Sequence, residues 1–119
     1  VQRKEERREL FRVVFKETVW GTMTLLGEGG VTVKILDISS QGALVETDFD
    51  ISSKSKVFLD FKINSNPFSV PGSVIRKVVY PDYFQYGILF SEDKQQFQKL
   101  FRELNTYKIR KAKPYLLED

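Results

Sequence analysis

Residues 57–74 read VFLDFKINSNPFSVPGSV. Val57, Leu59, Phe61 and Ile63 alternate with Phe58, Asp60, Lys62 and Asn64, the two-residue period of a half-buried strand. Asn64-Ser65-Asn66-Pro67 is a turn signal. Phe68, Val70, Gly72, Val74 and Val78 then resume the alternation. Pro71 argues for an edge position or a bulge, because proline offers no N–H to a ladder.

The pattern extends in both directions. Downstream, Tyr80-Pro81-Asp82 turns the chain, and Phe84, Tyr86, Ile88 and Phe90 make a last strand. The period then changes: Phe97, Leu100, Phe101 and Leu104 follow the i, i+3, i+4, i+7 spacing of one helical stripe. Ser91 is the expected N-cap, with Glu92 and Asp93 suited to a helix start. Upstream, Ala43-Leu44-Val45 forms a short strand, and Val31, Val33 and Ile35 alternate with Thr32 and Lys34. Gly27-Glu28-Gly29-Gly30 is a turn that makes this strand the second arm of a hairpin. The first arm is expected as one long strand from Phe11 to Leu25, bent at Gly21. Six antiparallel strands and a C-terminal helix predict a small β-barrel. The expected organisation is a basic arm over 1–10, a barrel with its helix over 11–105, and a basic tail over 106–119.

Composition narrows the chemistry. The 119 residues suit one domain, and 41% hydrophobic with 29% charged residues is a globular balance. There is no Cys and no His. Thiolate metal sites, disulfides, Cys nucleophiles and Ser-His-Asp triads are therefore excluded. The net charge is +3, from 19 basic and 16 acidic residues. The basic residues concentrate at the ends: Arg3, Lys4, Arg7, Arg8 and Arg12 at one, Lys99, Arg102, Lys108, Arg110, Lys111 and Lys113 at the other. An anionic partner is expected. No apolar run nears about 18 residues and no signal-peptide pattern occurs, so a cytoplasmic domain with no membrane span is expected.

Two motifs carry binding chemistry. In Arg8-Glu9-Leu10-Phe11-Arg12, preceded by Arg7, planar guanidinium forks match phosphate oxygens and the O6/N7 edge of guanine. In Asp37-Ile38-Ser39-Ser40-Gln41-Gly42, a carboxylate can accept from guanine N1–H and N2–H, and a hydroxyl can donate and accept. Gly42 allows positive φ or a close backbone approach to ligand. The plain alternative is an Asx/Ser turn joining two strands. Trp20, Tyr80, Tyr83 and Tyr86 are candidates for stacking on bases. Trp20 fits better beneath the C-terminal helix.

RRELFRV (Arg7 to Val13) followed by DISSQG (Asp37 to Gly42) resembles the PilZ domain family. VPGSVIR (Val70 to Arg76) and YGILF (Tyr86 to Phe90) look like its last two strands. The resemblance implies a six-stranded antiparallel β-barrel that binds the bacterial second messenger cyclic di-GMP. By that resemblance Arg8 and Arg12 grip phosphates and guanine edges, and Asp37, Ser39 and Gly42 meet the other side of a guanine. An Arg at position 7 goes, in the family, with two intercalated ligands per chain. The implied function is a non-catalytic sensor that changes conformation on binding and acts on a downstream protein. No cofactor is expected beyond the ligand. A degenerate adaptor that binds a protein without nucleotide is the alternative. Nucleic acid is not expected as a partner, because no stacking aromatics group on an exposed strand face.

Overall fold

A computed structural model describes residues 12–26 and 28–112. The expected arm over 1–10 and the end of the expected tail lie outside the described residues. The elements are β1 (Val13–Val14), β2 (Trp20–Leu25), β3 (Gly30–Ile38), β4 (Gly42–Thr47), β5 (Lys56–Ile63), β6 (Asn66–Val79), β7 (Phe84–Phe90) and α1 (Lys94–Ala112).

Six strands close into an antiparallel barrel in the order β3-β2-β5-β6-β7-β4, and β4 returns to β3. The alternating apolar residues of every strand fill its interior. Met23, Val33, Leu59, Val45 and Val74 are fully buried there. Closure gives each of these six strands a neighbour on both sides, with staggered ladders: β6 pairs with β5 over 66–73 and with β7 over 72–79. The β5–β6 connection is two residues, Asn64 and Ser65, with φ of 52° and 70°. Two successive positive φ values are the type I′ geometry whose twist matches that of the flanking strands. Asn66 and Pro67, expected in this turn, already pair in β6 opposite Ile63 and Lys62. Pro71 falls where the β6–β7 ladder has ended at Gly72–Phe90, so its missing N–H breaks nothing there.

The expected long first strand is two pieces. Val13 and Val14 pair with Ile38 and Asp37, whereas Trp20 to Thr24 pair with Lys34 to Gly30. Between them Phe15 donates to Leu36 O at 3.1 Å, and Ile35 donates to Val19 O at 2.8 Å. Both pieces therefore follow the same edge of β3. Alternation continued from Val13 and Phe15 would turn Glu17 inward; the chain leaves the sheet there and Glu17 stays exposed, which avoids burying a carboxylate.

Helix α1 covers one end of the barrel. Its cap is Asp93 rather than Ser91: Asp93 Oδ1 accepts from Gln96 N at 3.1 Å. Ser91 N is spent on Pro71 O at 2.8 Å and still belongs to the sheet. Leu100 and Leu104 are fully buried. Phe97 and Phe101, expected on the same stripe, lie on its flank, 39% and 43% exposed. Their rings stack at 6.3 Å. The helix runs on through Ala112, so residues 106–112 are helical and not tail. Tyr107 explains the extension. Its ring meets Phe15 edge-on at 5.4 Å, and its hydroxyl donates to Glu17 Oε2 at 2.5 Å. Lys111 Nζ reaches the same oxygen at 3.2 Å. Burial, and then the Glu17 carboxylate, hold the Tyr107 hydroxyl above its ordinary range. The same hydrogen bond holds the Glu17 carboxyl below its own. Among the described residues no helix is long and apolar enough to cross a membrane.

Candidate functional site

The two motifs are 25 residues apart at Arg12 and Asp37, and the β1–β3 pairing joins them. Val14 lies opposite Asp37 and Val13 opposite Ile38, which sets Arg12 beside the end of β3. Its Nη1 donates to Asp37 Oδ1 in an ion pair. Asp37 and Ile38, expected in a polar break, are the last residues of β3, because β1 and β4 flank them. The guanidinium stays 41% exposed and the carboxylate 14%. The fork therefore keeps donors facing solvent while one edge is held.

Ser39 is buried and faces its own turn. Its Oγ accepts from Gln41 N and from Gly42 N, each at 3.2 Å, and Ser39 N donates to Gly42 O at 2.8 Å. Gly42 shows no positive φ. A Cβ there would lie 2.4 Å from Ile88 O, across the β4–β7 ladder. The glycine is required by the approach of β7. Ser39 and Gly42 therefore shape the turn, as the plain reading of the motif has it. Arg12 and Asp37 present the charges. Arg7 and Arg8 lie outside the described residues.

Around this pair is an open cleft of about 700 Å³. Arg12, Asp37 and the 39–42 turn form one wall, and Ile75, Arg76 and Leu89 form the other. Arg76 was not singled out from sequence. The β6–β7 register shifts between Val74 and Arg76, so Ile75 and Arg76 both turn outward where strict alternation sends one of them in. Gly87 makes room for this arrangement: a Cβ there would sit 3.2 Å from Arg76 Cβ. Ile75 and Leu89 are 61% and 50% exposed. The cleft thus offers two guanidinium groups, one carboxylate acceptor and an apolar surface from Ile75 and Leu89.

The aromatic candidates divide. Tyr86 is fully buried; its hydroxyl donates to Phe49 O at 2.8 Å and accepts from Ile51 N at 2.6 Å. It cannot stack on a ligand. Tyr80 and Tyr83 stack on each other at 4.7 Å. Trp20 is not beneath the helix. It is 63% exposed on the outer face of β2, where its alternation with buried Met23 directs it.

Comparison with known proteins agrees with this fold. The family model for the PilZ domain matches residues 2–105. The chain belongs to the PilZ domain family. Solved structures of the same fold include the PilZ domain of CeSA from a cellulose-synthesizing bacterium. It is 18% identical, with a TM-score of 0.64, over 82% of this chain and 98% of that one. The PilZ domain of YcgR from Escherichia coli, solved with c-di-GMP, is 13% identical, with a TM-score of 0.69, over 92% and 96%. The Bacillus subtilis inhibitor of motility MotI/DgrA is 14% identical, with a TM-score of 0.65. The match covers 84% of this PilZ chain but only 50% of that protein. No curated protein sequence matches.

Proposed function

We propose that this PilZ domain is a non-catalytic receptor for cyclic di-GMP. The observation that carries the reading is the meeting of Arg12 and Asp37 at the rim of one cleft, with Arg76 across it. Cyclic di-GMP has two phosphates and two guanines. Arg12 supplies a fork for a phosphate or a guanine O6/N7 edge, and Arg76 supplies a second cation. Asp37 accepts from guanine N1–H and N2–H. Ile75 and Leu89 offer the purine faces an apolar surface. Arg7 and Arg8 extend the cationic set on the segment that leads to Arg12, and Ser39 and Gly42 hold the turn beside Asp37. Ligand must share or open the Arg12–Asp37 pair. Binding therefore rearranges the segment before β1, and that rearrangement is the signal to a downstream protein.

Calorimetric titration with cyclic di-GMP tests this. Truncating Arg12 removes charge-assisted hydrogen bonds worth about 1.5–3 kcal/mol, so Arg12→Ala should weaken binding about tenfold or more. Arg12→Lys should restore little, because lysine lacks the fork. Asp37→Ala should narrow the preference for cyclic di-GMP over cyclic di-AMP. The unmodified chain should take two ligands and Arg7→Leu one. Equal affinities for the parent, Arg12→Ala and Asp37→Ala proteins would remove the site assignment.

A further inference from the structure

The outer face of the barrel away from this cleft carries an arrangement that cyclic di-GMP recognition does not use. Register fixes its rows. Trp20 lies opposite Lys34 on β3. Thr22 lies between Thr32 on β3 and Asp60 on β5, and Asp60 lies opposite Ser69 on β6. Thr24 lies opposite Phe58. Lys62, two residues beyond Asp60, lies opposite Pro67 and lines the same shallow hollow of about 580 Å³ as Trp20. Trp20 and Phe58 are 63% and 40% exposed. This hollow and the cyclic di-GMP cleft share no lining residue.

We propose that this face of β2 and β5 binds single-stranded nucleic acid, with one base stacked on Trp20. An outward tryptophan with Lys34 opposite it on β3 and Lys62 in the same hollow combines a π-face with phosphate counter-charges, the two elements of sequence-tolerant single-strand binding. Thr22, Thr32, Asp60 and Ser69 form a polar row beside the ring that can meet base edges. Phe58 is two rows along the strand direction, about 14 Å at strand rise. That separation suits a second base beyond one intervening nucleotide. The charge leans positive, which suits a polyanion: Lys34, Lys56 and Lys62 stand against Asp60 and against Glu46, which lies opposite Lys34 on β4 and whose carboxylate accepts from Gln85 Nε2 at 3.4 Å. The expectation against nucleic acid rested on the lack of clearly grouped outward aromatics; Trp20 and Phe58 are both outward on this face.

Trp20 is the only tryptophan in the sequence, so its fluorescence reports this face alone. The probes are a thymidine oligonucleotide and an abasic deoxyribose-phosphate oligomer of equal length. The thymidine oligonucleotide should quench Trp20 emission, and the abasic oligomer should bind weaker without quenching. By anisotropy of a labelled oligonucleotide, Trp20→Ala should lose about tenfold in affinity and Trp20→Phe much less. Lys34→Ala with Lys62→Ala should flatten the salt dependence. Trp20→Ala should keep the parent's melting temperature and cyclic di-GMP titration, which separates this surface from the cleft and from misfolding. Equal binding of the abasic oligomer, undiminished binding by Trp20→Ala, or Trp20 quenching by anionic vesicles but not by oligonucleotide would each overturn the proposal.

Discussion

Replacing Gly42 by alanine separates two reasons for a glycine at the end of the second motif. One is close approach of the backbone to a ligand, and the other is close approach of β4 to β7. The structure supports the second, with an added Cβ 2.4 Å from Ile88 O. That oxygen is backbone within a ladder and cannot swing aside, so the strands must separate around the Gly42–Leu89 and Ala43–Ile88 pairs. Overpacking of this kind costs about 1–3 kcal/mol. With about 2.1 cal/mol/K of unfolding entropy per residue over 119 residues, the melting temperature should fall by about 4–12 °C. Thermal unfolding followed by far-UV circular dichroism measures the fall. A cyclic di-GMP titration well below the transition then reads affinity. The expected result is a less stable protein whose affinity suffers only as the 39–42 turn is displaced. A variant that melts with its parent but binds an order of magnitude more weakly would refute the reasoning and return Gly42 to the ligand.

Other outcomes follow from the packing. Leu104→Ala should lower unfolding free energy in urea by about 2–5 kcal/mol, because the side chain is fully buried between α1 and the barrel. Asn64→Ala should cost about 1–2 kcal/mol in the same assay. It removes the Nδ2 bonds to Glu103 O at 3.1 Å and Oε2 at 2.7 Å, and a residue that tolerates positive φ. Glu17, with its folded pKa lowered from 4.5 chiefly by Tyr107, should contribute stability above that pH and lose it as pH falls through the lower folded value. Its side chain is 48% exposed, so the contribution should stay under about 1 kcal/mol. Tyr107→Phe should flatten this acid limb in urea midpoints measured below about pH 4.5.

Strand existence was legible because a barrel buries alternate residues, and Val57, Leu59, Phe61 and Ile63 show that period without interruption. The motif pairing of Arg12 with Asp37 was legible as residue types, and its geometry needed the β1–β3 register. Periodicity places a side chain inside or outside but does not say what covers the outside. This is why Trp20 was expected beneath a helix that caps another part of the barrel. Arg76 was hidden because a bulge alters alternation without altering composition. Ser39 has the same sequence signature whether it holds a turn or a ligand; only its bonds to Gln41 N and Gly42 N distinguish the two. The helix end was misjudged because the charges after Tyr107 read as solvated chain. Phe15 and Glu17, ninety or more residues upstream in sequence, hold that last stretch in place.

The β4–β7 ladder also sets the order in which this protein can acquire its site. Gly42 pairs with Leu89 and Thr47 with Phe84, partners about forty residues apart. Both walls of the cleft hang on that seam, one through the 39–42 turn and the other through Leu89. A nascent chain carrying Arg12 and Asp37 but not yet β7 has both motifs and no cleft. Non-local strand pairing of this kind closes on the millisecond-to-second scale typical of small β-barrels. Ligand capture in a refolding experiment should therefore lag behind local hairpin formation and rise with closure of the seam.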